Sequence, residues 1–186
     1  MPRIQTARDV GGDRQFYDEE MTTLTTCLWF DGNAEDAVAH YLSIFPNSNN
    51  LSQSSEEPTE GQKDSEGTQQ AEKETPLTVS FELDGRPFMA LNGGPEFPFT
   101  PAISFVVNCQ TQEQVDYYWD RLLDGGSPAQ CGWLTDKFGV SWQIVPDRLG
   151  ELMSDPDPER SGRVMQAMLK MIKLDIAGLE AAAAEN

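Results

Sequence analysis

Residues Cys131 to Pro146 read CGWLTDKFGVSWQIVP, and this stretch decides the fold. Trp133 and Leu134 end one apolar run, Asp136, Lys137 and Gly139 supply turn chemistry, and Val140, Trp142, Ile144 and Val145 form a returning run of strand length. The pattern is a β-hairpin. It has an echo upstream in VSFELDGRPFMALN, Val79 to Asn92, with Asp84-Gly85 at the turn and Phe88-Met89-Ala90-Leu91 coming back. Two similar hairpins point to a duplicated fold.

The segments before each hairpin repeat as well. Thr25 to Phe30 is a short β-rich run that passes through Asp31-Gly32-Asn33 into a helical pattern with Val38, Tyr41, Leu42 and Phe45 on one face. Ile103 to Val107 is the second such run, followed by Asn108-Cys109-Gln110-Thr111 and a helix with Val115, Tyr118, Trp119 and Leu122 inward. Laid together without gaps, Val38 falls on Val115, Tyr41 on Tyr118 and Phe45 on Leu122. Neither unit buries both faces of its sheet alone, so two units are expected to pair around one shared core in an α+β fold.

The chain has 186 residues, 38% of them hydrophobic, which is enough for one domain with a substantial core. Its formal net charge is −18, from 13 basic and 31 acidic residues, and this disfavours nucleic acid and anionic membrane as partners. No run has the roughly 18 apolar residues of a membrane span, and Met1 to Glu20 has no apolar signal core. Cys27, Cys109 and Cys131 are odd in number and sit in or beside the predicted strands, as expected of buried thiols in a reducing, cytoplasmic setting.

Residues 1–20 read as a disordered extension or the product of an upstream start, and the domain proper as 21–153, with units at 21–95 and 100–146. Residues 47–76 form an acidic low-complexity insertion, read as solvated or as a partner-binding segment. A further strand of the first unit, if present, must lie near Asn47 to Gln53. Phe97-Pro98-Phe99-Thr100-Pro101 crosses between the units without helix, and Arg148 to Met153 is at most one helical turn. Asp157 and Pro158 then open a C-terminal helix over 157–183. Its stripe of Val164, Met168, Met171 or Ile172, Ile176 and Leu179 is expected to dock on its own domain or to contact a second copy.

Leu28-Trp29-Phe30-Asp31-Gly32-Asn33-Ala34-Glu35, Phe45-Pro46-Asn47-Ser48, Phe81-Glu82-Leu83-Asp84-Gly85, Phe88 to Gly94, Ile103 to Cys109 and the opening stretch resemble the PhnB-like proteins of the vicinal-oxygen-chelate superfamily, which includes glyoxalase I, bleomycin-resistance proteins and extradiol dioxygenases. The resemblance runs from Met21 to about Ala181 around the insertion. It implies paired βαβββ units and a homodimer. Members often carry a 3-demethylubiquinone-9 3-methyltransferase label, yet Asn92-Gly93-Gly94 leads to Pro95 rather than to the helix N-terminus that usually holds a methyl donor.

The superfamily's enzymes hold a divalent ion with His, Glu or Gln from the first and last strands of each unit. Those places fall at Thr25 or Thr26, Ala90, Ala102 and Gln143, of which only Gln143 is a donor of the required kind. The single histidine, His40, lies on the first helix, and Glu96 stands in the crossover. No metal and no cofactor are therefore expected, and no catalytic residue is assigned. Trp29, Asn92, Ser104, Phe105, Trp133 and Gln143 are the candidate ligand-binding residues, with Trp142 beside them and facing opposite to Gln143. The expected function is binding of a small hydrophobic or aromatic molecule. The alternatives are a metal-assisted lyase, isomerase or oxygenase of the glyoxalase or dioxygenase type, and partner binding through the acidic insertion.

Overall fold

A computed structural model describes residues 24–51 and 76–185. The extension at 1–20 and the bulk of the acidic insertion lie outside the described residues.

The first unit starts with β1 (Thr26–Phe30), where Leu28 and Phe30 turn inward and Cys27 and Trp29 turn out. Helix α1 (Ala34–Ile44) follows, burying Ala34, Ala37, Val38, Tyr41 and Ile44. The side chain of Asn33 makes no capping bond; Asn92, the register partner of Phe30 on the neighbouring strand, accepts from the N–H of Ala34 at 3.0 Å. A short strand β2 (Ser48–Asn50) then occupies the start of the segment read as an insertion, inside the window left open for it. Strands β3 (Thr78–Leu83) and β4 (Arg86–Asn92) form the hairpin. Asp84 and Gly85 at its tip have φ of 47° and 75°, the left-handed pair that a two-residue turn between right-twisted strands demands. The sheet order is β1-β4-β3-β2, with β1 parallel to β4.

The second unit repeats this plan. Strand β5 comprises Phe105–Cys109 rather than the predicted 103–107. Its register is set by parallel pairing with β8 (Ser141–Pro146), Phe105 against Trp142 through Cys109 against Pro146, which carries Cys109 into the core and leaves Ile103 75% exposed. Helix α2 (Gln112–Leu123) is capped by Thr111 and buries Val115, Trp119 and Leu122, while Tyr118 is half-buried. Strands β6 (Ser127–Pro128) and β7 (Trp133–Thr135) complete the order β5-β8-β7-β6. Each unit is thus βαβββ, with its first and last strands parallel neighbours.

The two units meet through their helix-covered sides. One hydrophobic cluster runs from Leu28 and Phe30 through Tyr41, Phe81 and Phe88 to Trp119, Leu134, Trp142 and Ile144. Tyr117 donates its hydroxyl to the carbonyl of Ile44 at 3.0 Å, and Phe45 stacks on Tyr118 at 5.3 Å. The shared core is as expected, but the sides that form it are the helix-bearing ones. The first sheet therefore keeps one face free of helix, and the second does so except at the end of β8, where Val145, on the side of Gln143, packs against a second core of C-terminal residues. By register, Cys27, Trp29, Met89 and Leu91 share that face in the first sheet, and Val106, Trp133 and Gln143 in the second.

The C-terminal helix predicted over 157–183 is broken in two. Helix α3 (Asp147–Met153), longer than the single turn expected, leads to α4 (Pro158–Met168) and α5 (Ile176–Ala184). Asp157 and Pro158 open α4 as read, the Asp157 carboxylate accepting from the N–H of Glu159 at 2.9 Å. The break has a tertiary cause. Met171 and Ile172 accept, through their carbonyls, from the N–H groups of Cys131 and Gly132 at 2.8 Å each, and Leu174 drops into a second core with Leu149, Leu152, Val164, Leu179 and Ala183. Asp175 then caps α5. Ile172, one of the predicted stripe positions, is 54% exposed as a result.

The three cysteines are free, and only Cys109 is buried. Cys27 is exposed because it lies on the helix-free side of β1, and Cys131 is half-buried at a left-handed position with φ 61°, so neither is the core thiol expected. Among the described residues no helix is long and apolar enough to cross a membrane.

Candidate functional site

The sequence-derived site residues fall into separate groups. Trp29 stands on the helix-free face of the first sheet. Its indole N–H donates to the carbonyl of Gly94 at 2.8 Å, and its ring meets that of Phe97 edge-on at 4.9 Å. Gly93 lies against the ring so closely that an added Cβ would enter it. These contacts fix the indole beside a hollow of about 320 Å³ bounded by Pro95, Phe97, Pro98 and Phe99. Ser104, Trp133 and Gln143 come together on the other sheet. Gln143 donates its side-chain amide to the hydroxyl of Ser104 at 2.8 Å and is the register partner of Trp133.

Two candidates point elsewhere. Asn92 belongs to the helix-covered side: its carbonyl oxygen caps α1 and its amide nitrogen donates to the carbonyl of Pro76 at 2.9 Å, so both ends serve the chain itself. Phe105 also turns inward, 5.2 Å from the ring of Trp142 and 5.4 Å from that of Phe88. Trp29, Phe105, Trp133 and Trp142 therefore do not line one common concave face. Strand alternation puts Trp142 with Phe105 and Gln143 with Trp133.

The places carried over for a divalent ion do not assemble a ligand set. Ala90 is fully buried on the helix side, and its neighbours toward the free face are Met89 and Leu91. Among the described residues there is no group of three or more His, Cys, Asp or Glu placed to hold a metal ion. The donor chemistry of this chain's own helix-free faces does not fit such a site. His40 lies on α1 with its ring 5.6 Å from that of Phe138, and its Nε2 is buried without a hydrogen-bond partner. Burial foremost, then the charge of Lys137, lowers its pKa and favours neutral imidazole.

Sequence reasoning missed Asp136, read only as a turn residue. It is 3% exposed and accepts from the hydroxyl of Tyr41 and the indole N–H of Trp142, each at 2.8 Å, and from the backbone N–H groups of Phe138 and Val140 at 2.8 and 3.0 Å. One carboxylate thus closes its own hairpin and ties it to the helix of the other unit. A turn aspartate has no period that would mark it for burial, and its donor Tyr41 lies 95 residues away in the chain.

The paired βαβββ units with a parallel first and last strand define the class: the glyoxalase, bleomycin-resistance and dioxygenase fold. The sequence model of the family described as 3-demethylubiquinone-9 3-methyltransferase matches residues 22–145, and the chain belongs to that family. Among solved structures, a PhnB protein of Bacillus cereus labelled with the same methyltransferase description is similar at 29% identity, covering 67% of this chain and 99% of that one with a TM-score of 0.52. The fosfomycin resistance protein FosX of Listeria monocytogenes is similar at 14% identity over 71% of this chain and 98% of its own, TM-score 0.42. A glyoxylase/bleomycin resistance protein/dioxygenase domain from Frankia is similar at 12% over 68% and 93%, TM-score 0.39. No curated protein matches the chain.

Proposed function

We propose that this protein is a cytoplasmic homodimer that binds a small hydrophobic or aromatic molecule, without a metal, against the helix-free faces of its sheets. One observation carries the reading. Each sheet buries one face and leaves the other uncovered by helix, save at Val145 where the C-terminal helices dock, and the uncovered areas hold Trp29, Met89 and Leu91 on one side and Val106 and Trp133 on the other, with Val106 50% exposed. Apolar sheet faces of this kind call for a cover. A second copy laid over them would leave a cavity between aromatic walls, with the Gln143–Ser104 pair as its polar anchor.

Methyl transfer finds little support. The N–H groups of Gly93 and Gly94 both donate to the carbonyl of Phe30, at 3.0 and 3.3 Å, and so are not free to cradle a cofactor. The decisive experiment joins sedimentation with thermal unfolding in the presence of naphthol, with and without EDTA. A dimer stabilised by the ligand, with a Tm shift indifferent to EDTA and lost in Trp133→Ala, is expected. Stoichiometric bound metal with chelator-sensitive turnover would overturn the reading in favour of a metal-assisted lyase, isomerase or oxygenase.

A further inference from the structure

A second cleft lies on the inward side, where the units meet. The C-terminal end of α1, the β3–β4 turn, the edge strand β5 and helix α2 surround a cavity of about 550 Å³. Phe45, Phe88, Phe105, Tyr118 and Trp142 line it. The rings already touch in series: Phe88 with Phe105 at 5.4 Å, Phe105 with Trp142 at 5.2 Å, Trp142 stacked on Phe45 at 5.6 Å and Phe45 stacked on Tyr118 at 5.3 Å. Such a wall prefers a flat ring over a bulky aliphatic group, because offset and edge-on contacts with π faces add to area burial. The volume is ordinary for a small-molecule site.

The polar lining is mixed, with Asp84, Asn108 and Gln114 beside Arg86, Ser104 and Tyr118, and Arg86 is the cation in it. Arg86 is exposed on the lining and forms no ion pair with any other described residue, including Asp84, which stands just across the turn. Ser104 accepts from Gln143, so its own hydroxyl proton is left to donate. Burial foremost, then the neighbouring Tyr117, raises the pKa of the Tyr118 phenol and keeps it a donor at neutral pH. A permanently charged guanidinium beside an apolar wall matches a planar carboxylate more closely than it matches any neutral group.

We infer that this inter-unit cleft is a second ligand site, taking a small planar aromatic carboxylate with its ring among Phe45, Phe105 and Trp142 and its carboxylate on Arg86. The aromatic wall of the site faces inward, away from Trp29 and Trp133, while Ser104 and Val106 at the β5 edge are shared with the face assigned above. Full-length protein labelled with ¹⁵N is titrated with naphthoate and, separately, with neutral naphthol. Naphthoate is expected to move the indole N–H signal of Trp142. Arg86→Gln, a change at an exposed position, is expected to weaken naphthoate about tenfold while leaving any naphthol binding at the cleft unchanged. Absence of naphthoate binding, shifts confined to Trp29 and Trp133, or equal naphthoate affinity in the wild type and Arg86→Gln would each overturn the assignment. Shifts at Trp29 and Trp133 would bear on the helix-free faces instead.

Discussion

Asp136 shows how much a single buried carboxylate organises when four donors converge on it. Removing it leaves a buried phenol, a buried indole N–H and two backbone N–H groups competing for nothing, each a desolvation penalty of about 1–3 kcal/mol when unmet. Asp136→Ala is expected to lower stability by about 3 kcal/mol or more in urea unfolding, and Tyr41→Phe by about 1 kcal/mol, since three donors remain. Equal losses for the two would contradict the convergence on Asp136. Two buried protonated groups set the alkaline pH response. Burial foremost, then the charge of Asp147, pushes the Cys109 thiol up to about 11 from an ordinary 9.0, and burial foremost holds the Tyr41 phenol well above 10.0. Both folded-state pKa values are raised above the unfolded ones. The folded state therefore binds these protons more tightly, and the associated stability is intact below pH 9.0 and falls as pH rises toward 11. The urea midpoint should hold up to about pH 9 and drop between about pH 9 and about pH 11. A thiol reagent at about pH 8 should modify buried Cys109 only on unfolding.

At the scale of elements, the hairpins and helices were legible because their signals are local. Asp84-Gly85 can take two left-handed positions, Val38 and Tyr41 keep a helical spacing, and Asp157-Pro158 is a start signal whatever follows. Elements whose limits depend on partners were not legible. The C-terminal helix breaks because Met171, Ile172 and Leu174 have better partners at Cys131, Gly132 and the second core than in a continuous helix. Leu174→Ala is expected to cost about 3 kcal/mol and to speed proteolysis within 169–175, without moving the unfolding of the paired units to the same extent. Trp29 gives a second element-scale test. Gly93→Ala should expel the indole from its seat, breaking its bond to Gly94 and shifting tryptophan emission to the red; an unchanged spectrum would mean that the loop yields instead. The acidic segment also has a boundary set by pairing. Strand β2 pairs with β3 and the N–H of Leu51 continues to the carbonyl of Ser80, so replacing 52–75 with a short Gly-Ser loop should preserve the fold. Starting the deletion at Ser48 removes a strand, uncovers the edge of β3 and should lower the urea midpoint.

For the whole molecule, duplication supplies two sheets and two helices, and the decisive question is which sides meet. The helices carry the largest inward stripes, so the units join there, with Tyr41, Phe45, Tyr118 and Trp142 at the seam. This leaves the opposite sheet faces for a second copy, and sedimentation at micromolar concentration should find a dimer that Trp29→Asp weakens while the monomer stays folded; a wild-type monomer would sink that arrangement. The sequence by itself determined the repeat and the strand, helix and hairpin of each unit, because periodicity and turn chemistry are properties of neighbours along the chain; the full βαβββ order came with the family resemblance carried by its motifs. Strand alternation also separated Trp142 from Gln143, since it counts residues, while Ser104, Trp133 and Gln143 were read only as part of a larger set with Trp29, Asn92 and Phe105. Only the tertiary structure decided that Asn92 caps a helix, that Phe105 and Trp142 turn into an inter-unit cleft away from Trp29 and Trp133, and that Asp136 is buried. Each of those outcomes depends on which surfaces of two near-equivalent units come into contact, a choice made by packing between residues distant in sequence.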